Sequence, residues 1–313
     1  MKLSNVDLLR QSNRKSLMKR IISHRALYIF LAPTLIYLAM FAYGPMYGIQ
    51  IAFKNFNPAL GIWDSKWVGF RHFSDFIGGY TFKNLIRNTF TLSFYQLALF
   101  PAPIIVALLL NEVRNQRYKR FVQTTLYAPH FISMVVLVGI VMLMLSPSTG
   151  IINKLLGFLG LESKYFIIQP KAFKHIYIWS GVWQNTGWNA IIYLAALSSV
   201  DPELHEAATI DGASRIQRIR HINLPSILPT VTILLIMSIG SIASVGFEKA
   251  FLLQNPLNLE ASEIISTFVY KRGLIDANYS YSTAVGLFNN IINIILLLIA
   301  NFVADKVSDT SLF

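Results

Sequence analysis

The chain has 313 residues, 54% of them hydrophobic and 13% charged, with a mean hydropathy of +0.50; soluble domains carry about 25% charged residues, so the composition excludes an ordinary soluble enzyme and points to an integral membrane protein. The formal charge of +12 does not signal nucleic acid, because the Lys and Arg residues are spread along loops that flank apolar runs, with no basic motif interleaved with aromatics. The absence of cysteine excludes disulfides, thiolate zinc sites and thiol catalysis.

The first element is a basic segment, 1–25, with Lys2, Arg10, Arg14, Lys15, Lys19, Arg20 and Arg25 against the single acid Asp7. Positive charge beside a span marks the cytoplasmic side, and the segment is too long for a cleaved signal peptide, so a cytoplasmic N-terminus is expected. Apolar runs long enough to cross a bilayer follow near 26–47, 88–110, 125–145, 175–197, 224–246 and 281–304. The sequence therefore predicts an all-α membrane protein: one domain of six transmembrane helices over 26–304, and a short cytoplasmic tail, 305–313. The loops 111–124, with Arg114, Arg117, Lys119 and Arg120, and 198–223 then fall inside. Outside lie 48–87, 147–174 and 247–280. In the first of these, Trp63, Trp67, Phe70 and Phe73 fit headgroup depth or a contact with a docked protein. In the third, Gln254, Asn255, Pro256, Glu260 and Glu263 could reach toward a protein or a substrate.

The loop 198–223 is longer than a connector needs. Asp201 is a favourable N-cap, Pro202 suits the first helical position, and Glu203 lies on the positive end of the helix dipole. A helix starting near Pro202 should persist to Asp211, where Gly212 permits a left-handed turn. A second short helix is expected from Ala213 to about His221, with Arg215, Arg218 and Arg220 toward its C-terminal end. Pro225 either ends that run or begins the next span. By periodicity alone the product is an amphipathic surface helix pair.

The spacing of residues adds more. Glu206, Ala207 and Ala208, then Gly212, then Ile222, Leu224 and Pro225 follow the pattern EAA, three residues, G, nine residues, I, one residue, LP without departure. This resembles the cytoplasmic loop of the permease subunits of binding-protein-dependent ABC importers. YGPMYGIQIAFKNFNP, NEVRNQRYKRFVQTTLYAPHFIS, TFVYKRGL and YSYSTAVGLFNN resemble the carbohydrate-class permeases, particularly the oligosaccharide and polysaccharide branch that includes alginate transporters. Together these phrases extend the likeness over most of the chain from about residue 26 onward.

The resemblance implies a type I ABC importer permease fold in the cytoplasmic membrane. It makes the loop a coupling helix that docks on an ATP-hydrolysing subunit, with Glu206, Ala207, Ala208, Asp211, Gly212, Ile222, Leu224 and Pro225 as the coupling residues. It also implies a second, homologous permease in a heterodimer, two ATPase subunits, an extracytoplasmic substrate-binding protein and a carbohydrate cargo moved by alternating access. ATP and Mg would reside on the partner ATPase, with no cofactor in this chain.

Motifs for other chemistry are missing from the sequence. There is no G-x-x-x-x-G-K-[ST] phosphate loop, no H-E-x-x-H pair and no G-x-S-x-G elbow, so neither ATP hydrolysis nor metal or nucleophilic catalysis is expected of the chain itself. The spans do carry polar clusters: Trp183, Gln184, Asn185, Trp188 and Asn189 in the fourth, and Asn289, Asn290 and Asn293 in the sixth. Amides and indoles suit a sugar path, and amides equally serve as glue between membrane helices. A secondary carrier or channel is the alternative function, yet ion-coupled carriers use ionisable residues within their spans. No Asp, Glu, Lys or Arg falls in these. Neither a carrier nor a membrane scaffold accounts for the loop.

Overall fold

In a bilayer every backbone donor and acceptor must be satisfied within its own segment or by a neighbour, and this drives each apolar run of the chain into helix. The computed structural model describes residues 23–307, so the basic residues before Ser23 and most of the expected tail lie outside the described residues. In chain order the helices are α1 (Arg25–Phe53), α2 (Arg71–Ile77), α3 (Phe82–Asn111), α4 (Gln116–Phe131), α5 (Met134–Met144), α6 (Ile151–Phe158), α7 (Pro170–Ser198), α8 (Pro202–Ile210), α9 (Arg215–Gly240), α10 (Phe247–Leu253), α11 (Ile265–Tyr270) and α12 (Tyr279–Val307).

One small sheet interrupts the helices, an addition to the all-helical expectation. Strands β1 (Lys54–Asn57) and β2 (Ser65–Trp67) pair antiparallel, with Lys54 opposite Trp67 and Asn55 opposite Lys66. Its anchor is Phe53, which stacks on Trp67 at 5.7 Å, meets Phe70 edge-on and meets Phe73 at a tilt. Lys54 turns back to donate to the carbonyls of Ile62 and Trp63. Trp63, Trp67 and Phe70 stay exposed, as aromatics at headgroup depth would.

Of six expected spans, α1, α3, α9 and α12 are long and apolar enough to cross a membrane, and the pair α4 and α5 makes a fifth if taken as one span. The pair takes in the third expected span, 125–145, and adds a bend that the sequence reading did not foresee, because its two parts meet at 103°. Pro129 lies in a 3₁₀ turn, Ala128–Phe131. Ile132 and Ser133 are then extended, and the Ser133 hydroxyl accepts from the Val136 N–H to start α5 afresh. The expected fourth span lies inside α7, which at 29 residues is long enough to cross a membrane but is less apolar than the other long helices. The reason is its position. Eight of its residues are buried, from Phe173 to Leu197, so one side of it packs on protein and the hydropathy that lipid demands is relaxed there.

Packing follows from α7. Near its start, Phe173, Tyr177 and Ile178 join Leu92 of α3, Val138 of α5 and Leu253 of α10 in one core. Near its end, Ala190, Tyr193 and Leu197 join Ile104 and Ala107 of α3 and Ile227 of α9 in another. A third core, Phe76, Leu85, Ile265, Phe268 and Val285, binds α2, α3, α11 and α12. Lys249 of α10 is an unusual member of the first: its ammonium is buried, donates to the Tyr177 carbonyl at 2.6 Å and lies 4.1 Å from the Tyr177 ring centre. No carboxylate pairs with it among the described residues. Burial accordingly lowers its pKa to about 8.

The bend between α4 and α5 is held from α7. Gln184 donates to the Ile132 carbonyl at 3.0 Å, and Asn185 pairs with His130 at 3.0 Å. The His130 ring lies flat on Trp188 at 4.5 Å. Just beyond, Gly187 lets the helices approach so closely that a Cβ there would overlap the Leu126 carbonyl. Gly187→Val is therefore expected to push α4 off α7 and lower stability by about 1–3 kcal/mol or more, whereas Gly139→Ala, where a Cβ meets open space inside a helix, should be neutral to slightly stabilising. Thermal unfolding of the two variants in lipid nanodiscs distinguishes these outcomes, and equal melting points would refute the close-contact account.

Candidate functional site: the loop between α7 and α9

The loop is built by local rules. The Asp201 carboxylate accepts from the Glu203 N–H at 2.9 Å, capping α8, and Pro202 occupies the first turn, as the sequence predicts. Helix α8 ends at Ile210, with Asp211 as its C-cap and Gly212 at φ 77°. The Ala213 N–H bonds the Ala208 carbonyl at 2.8 Å and the Gly212 N–H bonds that of Thr209 at 3.1 Å. This is a complete Schellman motif, and the positive φ is what restricts the position to glycine. Space does not restrict it, since a Cβ at Gly212 would touch nothing within 4 Å.

The second half differs from expectation. Ser214 and Gln217 form a reciprocal capping box, so the helix begins at Arg215 rather than Ala213. It does not stop near His221. A π turn, Ile219–Asn223, carries it unbroken into the span. Pro225, left open between ending one helix and starting another, lies inside this continuous one. A proline in a helix clashes with the carbonyl four residues back and offers no N–H, and the widened turn immediately before it absorbs both defects.

The motif thus divides by exposure. Glu206, Ala207, Asp211 and Gly212 face solvent and Ala208 is half-buried, while Ile222 and Leu224 turn toward the bundle, Leu224 against the core of Ile104 and Tyr193. Pro225 is exposed. Three apolar side chains that the motif does not name protrude beside the first group: Leu204, Ile210 at 85% exposure and Ile216 at 76%. Uncovered isoleucines on a rigid, otherwise polar loop are the composition of a docking knob. Sequence reasoning passed over them because each alone is an ordinary helical apolar residue.

The expected path residues separate as well. Gln184 is buried on the bend, Asn185 and Trp188 contact His130, and Trp183 and Asn189 are exposed. Six residues apart, Trp183 and Asn189 point about 120° away from one another around α7 and cannot line one face. On α12, Asn289 is buried with its side-chain oxygen unpartnered, and Asn290 is exposed. Asn293 is glue: it accepts from the Ala243 N–H and donates to Ser244 at the end of the fifth span.

At the other end of the bundle the third connecting segment braces itself. Asn255 and Asn258 both donate to the Ile167 carbonyl, Gln254 donates to Ser262, and Glu263 pairs with Lys271 at 3.2 Å. A groove of about 670 Å³ remains between Leu143, Tyr165, Ile168 and Leu257.

Known proteins give this architecture its context. Residues 99–309 match the family described as binding-protein-dependent transport system inner membrane component. Protein LplB of Bacillus subtilis (strain 168) is 46% identical over 288 residues, covering 92% of this chain and 91% of that protein. The polygalacturonan/rhamnogalacturonan transport system permease protein YteP of the same organism is 43% identical over 307 residues, covering 98% and 96%. A chain of a bacterial alginate ABC transporter, solved in complex with an alginate pentasaccharide-bound periplasmic protein, superposes with a TM-score of 0.88 at 42% identity, covering 95% of this chain and 99% of that one. One of these relatives is named a transport system permease, and the likeness to the chain of the alginate transporter extends along nearly the whole chain. With its capped loop helix, its continuous fifth span and these relatives together, the chain belongs to the family of binding-protein-dependent transport system inner membrane components.

Proposed function

We propose that this chain is one permease half of an ABC importer for an oligosaccharide, with a uronate-containing chain as the first candidate cargo, and that α8 is the helix through which a separate ATPase drives it. The observation that carries the coupling role is the combination of exposed Leu204, Ile210 and Ile216 with a backbone capped at both ends of α8. A helix that must transmit motion needs an apolar surface to be gripped by and a frame that does not yield. The cargo class rests on the relatives: one is named for polygalacturonan and rhamnogalacturonan, another was solved with alginate. Glu206, Ala207, Ala208, Asp211 and Gly212 form the gripped surface and its turn, and Ile222, Leu224 and Pro225 join it to the span.

The assembly comprises a second homologous permease, two ATPase subunits holding ATP and Mg, and an extracytoplasmic binding protein, with both termini of this chain in the cytoplasm. Binding of nucleotide by the ATPase moves the bundle only insofar as inward- and outward-open states differ in affinity for it. Within the bundle, exposed Trp183 serves the sugar, continuing a half-exposed aromatic stripe from Trp179 one turn earlier. Asn189 and Asn290 remain available on other faces. Gln184, Asn185, Trp188 and Asn289 contribute by fixing the helices that carry them.

Three outcomes are expected. ATPase activity of the purified complex, with its loaded binding protein, should rise with oligogalacturonates or alginate oligomers and not with neutral malto-oligosaccharides; the reverse preference refutes the uronate assignment. Gly212→Val, which places a β-branched residue at φ 77°, should leave the complex assembled and lower transport per ATP by about fivefold or more. Unchanged coupling refutes the role of α8. Single cysteines test orientation: Ser214→Cys should react from the cytoplasm and Leu257→Cys, 65% exposed, from outside. Leu257 is a better probe than Asn255, which is engaged with Ile167. The opposite labelling pattern overturns the topology.

A further inference from the structure

Where α8 joins the bundle, a single side chain spans three helices. Arg218, in the first turn of α9, donates to the Thr209 hydroxyl at 2.7 Å across the Gly212 turn. Its other terminal nitrogen lies 3.9 Å from the Glu112 carboxylate at the end of α3. Thr209 is itself anchored, since its hydroxyl donates to the His205 carbonyl at 2.7 Å. Glu112 is approached from a second side by the fully buried Asn223, whose amide lies 3.5 Å from the other carboxylate oxygen. The Arg218 and Glu112 side chains are 16% and 20% exposed, the two lowest values in the four ion pairs among the described residues.

The location sets the consequence. Glu112 directly follows the part of α3 that packs, through Ile104 and Ala107, on Tyr193 and Leu197 of α7 and Ile227 of α9. The link from Thr209 to Glu112 therefore runs from the last turn of α8 to a three-helix core. Along the chain, α8 is joined to that core on one side by residues 199–201 and on the other by a turn centred on Gly212. A guanidinium suits the task because its fork is planar and its donors diverge, so it can hold a hydroxyl and a carboxylate at once, which a lysine ammonium on its flexible stem holds less rigidly.

We infer that Arg218 is a positioning residue, which with Glu112 and Thr209 locks α8 to the cytoplasmic core of α3, α7 and α9 so that the two move as one body when the ATPase subunits close. This rests on the coupling role of α8 but adds residues outside the EAA pattern's fixed positions: Arg218 falls among its unspecified nine, and Glu112 lies in a different loop. The pattern specifies how α8 is shaped; the lock specifies what α8 is fastened to.

The test uses the full transporter in nanodiscs, with nitroxides on Arg114→Cys and Glu203→Cys, both exposed positions. In the otherwise native chain the distance between them should be narrowly distributed and the same in nucleotide-free and ATP–vanadate states. Arg218→Gln or Glu112→Gln should at least double the width of that distribution and make it depend on nucleotide. Arg218→Lys should fall between, and the exchange Glu112→Arg with Arg218→Glu should narrow it again, which a general loss of packing would not allow. Arg220→Gln, an equal loss of charge two residues further on at an exposed position, should leave it unchanged. A narrow, nucleotide-independent distribution in Arg218→Gln overturns the lock. If Gly212→Val uncouples while Arg218→Gln does not broaden the distance, the lock alone fails; if Gly212→Val couples normally, the role of α8 fails with it.

Discussion

The carbonyl of Ile132 is released where α4 turns through 103° into α5, and a released carbonyl inside a bundle must find a donor. Gln184 provides it. Around that bond lie the flat contact of His130 on Trp188, the Asn185 pairing and the close approach at Gly187. All four are on α7, so the least hydrophobic of the long helices is the one that fixes the most irregular part of the backbone. Its place in the packing follows: a helix with that many polar groups is stable in a membrane when protein covers part of it, and the cores on its two halves cover one side.

The same helix leads directly to the loop. Its last turn packs in the core that contains Ile227 of α9, and three residues later the Asp201 cap starts α8. Short, capped connections leave α8 little freedom of its own, and the exposed isoleucines are presented on a frame rather than on a tether. In an importer, that is the difference between a contact that transmits motion and one that only binds.

What was legible in the sequence was what depends on near neighbours. The Asp201 cap, the proline after it and the glycine at positive φ are each decided by bonds a few residues long, and each was read from residue type and spacing. The EAA spacing pointed to the family, which the relatives show. What failed depends on distant partners. Pro225 reads as a boundary, but the π turn before it is stable because Asn223 and Ile227 are buried against the bundle. The run 125–145 reads as one span, and no window of hydropathy can reveal that Gln184, fifty-two residues beyond Ile132, will accommodate a turn there. The Asn and Gln residues of α7 and α12 looked alike in sequence, yet Asn293 ties two segments together and Asn290 is exposed, a distinction that only the rotation of the helix decides.

Helix α1 has no buried residue in its most apolar window, whose mean hydropathy is 1.8. Its last turns, Tyr47–Phe53, meet α12, so the helix is hinged at one end and bare along the rest. A span of that kind partitions into lipid on its own composition, before the helices that follow it are made. During synthesis it commits the nascent protein to the bilayer early, and everything downstream folds as a molecule already confined to two dimensions.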